Sequence, residues 1–416
     1  MTRADLLLAL LVLALAAAPS AARAQTTAPA PPTESAPAPD AAPAAAPAPE
    51  EKTSSFRHEV RLFAYLEMSY TWNLGGASRG GVNELRVYDD VEGFTFNIAE
   101  FSVKKDPSER YPFGFGLVLT VGQDSQKNHS LGIFRDEDDE FPFRNTSHFD
   151  LQEAYLSVRI PLGTGLILKA GKWVSLLGYE VIESPNNLNF SRGYLFDLAG
   201  PFTQTGVVAT YAFTDWLTAQ AGVATGSDTT VDNNDRPSFG GGFQLAPRKD
   251  LTLTIGTIVG PEQNDNHTHT RWVVDLVGVY TGIDKLTLAG EITGGKEDRE
   301  ASLLELNTRQ DPDASWWGWG LWAAYDWTSR FRTALRQEYF KDADGARTGF
   351  GNELSLWSTT LTFQVKIWRG LVSRLEYRHD QANERAFRQR YDKTRTLVPT
   401  SHSMDTISLS AYYTFF

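Results

Sequence analysis

The chain has 416 residues, a formal net charge of −12 from 39 basic and 51 acidic side chains, and no cysteine. The missing cysteines exclude disulfide scaffolds, thiolate zinc centres, cysteine nucleophiles and a lipid-modified cysteine anchor. The acidic balance lacks the basic footprint that phosphate backbones require, so nucleic acid is not an expected partner.

Residues 1–24, MTRADLLLALLVLALAAAPSAARA, combine Arg3, an apolar run from Leu6 to Ala18, and the small residues Ala22 and Ala24 before Gln25. This is the layout of a secretory signal peptide. The apolar run is shorter than the roughly 20 residues a helix needs to cross a bilayer. Residues 25–55 are almost entirely Ala, Pro, Ser, Thr and acidic residues. They cannot bury enough apolar surface to offset the entropy of ordering, which predicts a disordered, semi-extended tether. A spacer reaching toward the cell wall is the functional alternative to a plain linker.

From Phe56 onward, segments of about ten residues alternate apolar and polar positions between Gly, Pro, Asn and Asp clusters, which is the period of β-strands. The pattern predicts sixteen strands, at 58–72, 93–104, 112–122, 149–160, 165–174, 204–213, 216–225, 239–246, 251–259, 271–281, 285–294, 316–327, 330–340, 353–365, 369–379 and 404–416. Their connections alternate between short turns and long segments at 73–92, 123–148, 175–203, 226–238, 260–270, 295–315, 341–352 and 380–403. Tight turns at one end and long loops at the other, with an even strand number, are the asymmetry of bacterial outer-membrane barrels. In the segment after Trp316, the residues Trp317, Trp319, Leu321, Ala323, Tyr325 and Trp327 form one apolar stripe with aromatics at both ends. Along 330–340, Phe331, Thr333, Leu335 and Tyr339 are expected to face lipid, and Arg330, Arg332, Arg336 and Glu338 the lumen. The last segment alternates likewise and ends Tyr413, Phe415, Phe416, an aromatic terminus of the kind outer-membrane assembly machinery reads. The expected fold is therefore all-β: a transmembrane, antiparallel, up-and-down barrel of about sixteen strands over 56–416, closed so that no edge is left in lipid.

Between about Leu85 and Asn234 the segments LRVYDD, FTFNIAEFSVKK, GFGLVLTVGQD, LQEAYLSV, LKAGKWVSLLGYEVIESPNNLNFSRGYLF, GPFTQTGVVATYAFTDW and DNND occur in order. In these the chain resembles the β-barrel porin family of the OmpL-like type. The second half fits as barrel strands but carries less of the resemblance. Phe416 stands one residue beyond the usual terminal pattern.

The third long connection is unusually apolar, with Leu176, Leu177, Val181, Ile182, Phe190, Tyr194, Leu195 and Phe196, so it should be packed rather than solvated. The resemblance implies that it folds inward as a pore constriction; packing elsewhere on the barrel and an external binding surface are the alternatives. Its candidate pore-facing groups are Glu180, Glu183, Asn186, Asn187, Asn189, Ser191 and Arg192. Strict alternation places Arg61, Glu67, Glu153, Arg159, Arg332, Arg336, Glu338, Arg374, Glu376 and Arg378 on the inner wall. Opposed charges there would set a transverse field across a narrow lumen, unless they pair with one another as filler.

Other motifs carry less. The acidic run at 136–140 lacks the spacing and turn glycine of a dedicated calcium loop, and Asp232 to Asp235, His267 and His269 read as turn and loop residues. The string 76–80, GASRG, matches a serine-hydrolase pattern that has meaning only at a strand-to-helix turn. No metal, cofactor or enzymatic activity is expected. The expected function is an outer-membrane porin for passive diffusion of small hydrophilic solutes. Its expected partners are outer-membrane lipid, the barrel assembly machinery and, by analogy, two further copies in a homotrimer. A channel selective for sugars or anions, and a surface adhesin or envelope tether with a plugged barrel, are the alternatives.

Overall fold

The computed structural model describes residues 59–75, 85–134, 147–298, 313–387 and 399–415. The expected signal peptide and tether, the string 76–80, the acidic run 136–140 and Phe416 lie outside the described residues.

Sixteen strands follow one another: β1 (Arg61–Asn73), β2 (Gly93–Lys105), β3 (Phe113–Val121), β4 (Phe149–Ile160), β5 (Leu166–Val174), β6 (Thr203–Thr214), β7 (Leu217–Ser227), β8 (Ser238–Arg248), β9 (Leu251–Gln263), β10 (Asn266–Ile283), β11 (Leu286–Glu297), β12 (Ala314–Asp326), β13 (Phe331–Asp342), β14 (Leu354–Lys366), β15 (Leu371–Ala382) and β16 (Ser403–Thr414). Each pairs antiparallel with its neighbours in sequence, and β1 closes on β16 with Tyr65 opposite Thr414 and Tyr70 opposite Leu409. Closure satisfies every strand edge without water, the condition for spanning lipid.

The alternation read from the sequence sets the faces. On β12, Trp317 is 46% exposed on the outer surface while Trp316, Trp322 and Ala324 are buried inside. Outward rings cluster in two bands: Trp319, Tyr339 and Trp357 toward one end, and Tyr325 with Trp327 toward the other. Such amphipathic rings suit the two membrane–water interfaces. Bulges adjust the phase, with Asn97 of β2 the extra residue opposite Glu67 and Met68 of β1, and Gln152 of β4 the extra residue opposite Val118 and Leu119 of β3. On β5, Gly171 adopts φ 134°, a conformation that favours glycine.

Two expectations are corrected. The segment 260–270 is not a long loop, because β9 runs to Gln263 and β10 starts at Asn266, leaving only Asn264 and Asp265 as the turn. Above the lipid both faces of a strand meet water, so the hydrophobic alternation fades while the hydrogen-bonded ladder continues. Asp265, at φ 56°, makes the reversal. Arg330 lies exposed in the turn before β13 rather than on its inner face.

The inner surface has two unlike halves. On β6–β8 the inward positions are small or uncharged, with Val208, Gly222 and Gly240 in one row and Thr210, Gln220 and Gly242 in the next. On β13–β15 they alternate in charge, with Ser358, Thr360 and Thr362 of β14 interposed between the charged residues of its neighbours.

Candidate pore and its inner wall

The segment 175–202 has almost no regular secondary structure, so its backbone groups need partners from elsewhere. The wall supplies them. Asp275 on β10 accepts from the Gly178 N–H at 2.9 Å, and Glu291 on β11 from Tyr179 N–H at 2.8 Å. Glu376 on β15 accepts from both Phe190 and Ser191 N–H at 2.7 and 3.0 Å. Glu338 on β13 accepts from Leu195 N–H at 3.4 Å. The carbonyls are taken by cations: Arg336 donates to Ser191 O at 2.6 Å, Arg374 to Asn189 O at 3.1 Å and Arg378 to Arg192 O at 2.7 Å. Carboxylates and guanidiniums on the strands thus stand in for a hydrogen-bond ladder.

The apolar residues of the segment seat it further. Tyr194, Leu195, Leu198 and Ala199 share a buried cluster with Trp316, Trp322, Phe340 and Leu356 of the wall, and the Trp316 indole donates to Ala199 O at 3.0 Å. Leu195 fits over Gly318 and Gly320, where a Cβ would strike its side chain. From Leu177 to Leu195 the described hydrogen bonds to strands go to β1, β4, β10, β11 and β13–β15, and none to β6–β9.

The seven candidate groups of this segment divide. Glu180 pairs with Arg336 at 2.7 Å and takes the Gly193 N–H at 2.6 Å. Asn189 donates to Thr362 at 2.7 Å, and Ser191 receives Arg336 at its hydroxyl. Asn187 ties the Val181 N–H and carbonyl together, and Arg192 donates to Val181 O and Phe190 O beneath the Tyr88 ring. These five are buried against the wall or the segment itself, a correction to the expectation that they face pore water. Asn186 is exposed, and Glu183 is half-buried, receiving Gln152 of β4 at 3.1 Å.

The ten wall residues divide in the same way. Glu67, Arg336, Glu338, Arg374, Glu376 and Arg378 point inward as alternation requires, but the segment covers them. Arg374 meets Glu67 at 2.5 Å, and Arg378 meets Asp380 at 2.9 Å. Arg336 and Arg378 both stand opposite Thr360, a row in which β14 is narrow enough to bring them together. Arg61 with Asp106, Arg159 with Glu109, Arg332 with Asp326 and Glu153 with Lys104 keep water contact at one or both partners.

Several participants escaped the sequence reading. Asp275 and Glu291 lie in predicted strands whose inner residues were not singled out, and Asp380 falls in the expected connection 380–403, although β15 runs on to Ala382. The Arg86 guanidinium reaches Asp380 at 2.5 Å and Asp89 at 2.7 Å, docking the first long connection on β15. Between β3 and β4, burial pushes the Asp124 carboxyl up to about 7 against the opposing pull of Arg192. Asp232 to Asp235 form a turn in which Asn234 donates to Pro261 O at 2.9 Å, and His269 bonds to Gln263 and Asn266.

Solved structures share this architecture. The outer membrane channel DcaP of Acinetobacter baumannii superposes with a TM-score of 0.57 at 12% identity, over 86% of this chain and 97% of that one. OmpF of Salmonella typhi, solved with daunomycin, gives 0.56 at 12% over 86% and 97%. An anion-selective porin of Comamonas acidovorans gives 0.55 at 10% over 86% and 99%. At such identities the likeness is one of fold. No curated relative matches the chain. The profile of the beta-barrel porin-2, OmpL-like family matches residues 59–415, nearly the whole barrel. This chain belongs to that family and is a porin of the bacterial outer membrane.

Proposed function

We propose that the chain is a passive diffusion channel whose lumen is narrowed by the segment 175–202, with solutes passing between that segment and the small-residue wall of β5–β8. The observation that supports this reading is the one-sided seating of the segment. Its bonds gather on β10–β15, β1 and β4, while Gly222, Gly240 and Gly242 keep the wall at β7 and β8 low. Small hydrophilic solutes suit a passage edged by Thr, Gln and paired charges. Selective binding by a ladder of Arg332, Arg336, Arg374 and Arg378 loses support, because carbonyls of the segment already occupy the last three guanidiniums and Asp326 pairs with the first. A non-enzymatic role accords with the family. Residues 1–24 as an export signal and 25–55 as a tether complete the proposal. A homotrimer belongs to it as well, since OmpT of Vibrio cholerae, of similar fold, is described in a trimer form.

Planar-bilayer conductance of the purified mature protein tests this reading. Steady single-channel steps without added substrate are expected, and deletion within 180–192 should enlarge them. Unchanged steps after deletion would remove the constriction from the proposal, and no conductance at all would leave the adhesin or tether with a plugged barrel.

A further inference from the structure

Lys169 stands on the inner face of β5, opposite Ser157 of β4 and Val208 of β6, both buried, while Leu156 and Val207 beside them point outward. Among the described inward strand cations, Arg61, Lys104, Arg159, Arg332, Arg336 and Arg374 each meet a carboxylate within 4 Å. Lys169 meets none. Its ammonium instead lies 4.4 Å from the centroid of the Tyr155 ring, an arrangement that holds a cation by the ring quadrupole without neutralising it.

The surroundings leave Lys169 half-buried, with small residues on one side. Tyr155 lies across Gly116 of β3, where any Cβ would meet the ring, so glycine lets the aromatic platform lie close to the wall. On the other side Gly171, Gly206 and Gly222 present backbone rather than side chains. The charged groups nearby already have partners: Lys104 with Glu153, and Arg159 with Glu109 and the Thr164 carbonyl. Lys169 is therefore the cation of this wall with no carboxylate within 4 Å, while Glu100 and Glu183 lie on the far side of the Lys104–Glu153 pair.

We propose that Lys169, with Tyr155 as its platform and the Ser157 hydroxyl beside it, is a transit site for small oxyanions. A lysine is a compact point charge that can hold a carboxylate or a phosphate oxygen without the geometric demand of a guanidinium fork. One such charge in a wet passage favours entry while letting the solute leave, as conduction requires. The proposal rests on the channel reading above and adds a sign of selectivity and its residue.

The test is the reversal potential of the full mature protein in planar bilayers under a potassium chloride gradient, repeated with potassium acetate and with potassium phosphate. Heat-modifiable migration on gels checks that each variant forms a barrel. Lys169→Met should lower the anion-to-cation permeability ratio roughly threefold, the size expected for one unit charge at contact in high dielectric. Lys169→Arg should keep the ratio, and Glu153→Gln, by releasing Lys104, should raise it. A larger effect of Lys169→Met in acetate than in phosphate would assign the site to carboxylates, and the reverse to phosphate. Conducting channels whose reversal potential ignores both Lys169→Met and Glu153→Gln would overturn the proposal and leave the channel reading intact. Absence of conductance from the unaltered protein would remove both.

Discussion

The Arg336 guanidinium on β13 meets the Glu180 carboxylate of the 175–202 segment at 2.7 Å, with both side chains removed from solvent. Arg336 also bonds Ser191 O and Thr360, and Glu338 lies 3.0 Å away, so one cation joins the segment to two strands. Removing one partner of a buried pair strands the other charge, at a cost of roughly 3–5 kcal/mol. Arg336→Ala is therefore expected to lower the thermal unfolding midpoint and to broaden or enlarge single-channel steps. Glu180→Gln on the Arg336→Ala background should add less than it does alone, and additive losses would deny the coupling.

Glu376 holds two successive backbone N–H groups, those of Phe190 and Ser191. Glu376→Gln keeps the size but exchanges one acceptor oxygen for a donor that faces an N–H. A loss of about 1–3 kcal/mol follows from the unsatisfied amide. Faster proteolysis between residues 180 and 192, with the barrel itself intact, is the readout.

Gly193 is packed so that a Cβ would fall on the Glu338 carboxylate, which Arg336 holds in place. Gly193→Ala should unseat the segment without altering any strand. Conductance should change while the strand content by circular dichroism stays the same; equal behaviour of variant and parent would show that the carboxylate can move aside.

Asp124 is buried among Arg192, Glu67 and Asp90, and burial holds its carboxyl at about 7, above the ordinary value of 3.8. A carboxyl raised on folding is accommodated best while protonated, so its favourable contribution is present at low pH and is lost as pH rises toward and through about 7. The protection factors of amides in residues 122–130, with the intrinsic base-catalysed rise divided out, should fall as pH rises from about 4 to about 7, between the ordinary and the raised value. Asp124→Asn should flatten the profile.

Leu335 faces outward from β13 and is 45% exposed, whereas Gln244 on β8 faces inward beside Gly242. A lysine on the lipid face costs roughly 2–4 kcal/mol near the midplane and little in a wet lumen. Leu335→Lys should impair folding into bilayers and Gln244→Lys should not. Equal tolerance of both would contradict the assigned faces.

Most of the barrel could be read from alternation, because lipid on one side and water on the other write opposite polarity on successive residues. β12, with Trp317 outward and Trp316 inward, is the clearest case. The signal fails where that asymmetry ends. Around Asn266 to Thr270 both faces meet water, and strand was mistaken for loop. In 175–202 composition showed that the segment must pack, yet which way Glu180 or Asn189 turned depended on strands more than a hundred residues away. Lys169 and Lys172 lie three apart, so strict alternation separates them. Gly171 breaks the phase between them, and Lys172 is buried near Asp150 while Lys169 stands on the inner wall.

The charge pairs inside the barrel also bear on how it is assembled. Arg374 and Glu67 are 307 positions apart, and Arg86 and Asp380 are 294 apart. Contacts so distant in the chain form only after a large loss of chain entropy, which slows folding. The early segments that carry Arg86 and Glu180 must wait for β13 and β15, whose guanidiniums until then have only carboxylates of their own strands, Glu338 for Arg336 and Asp380 for Arg378. Closing the sheet and filling its interior are therefore expected to be one late, concerted event, and a chain halted before β15 would expose bare charge rather than rest as a smaller barrel.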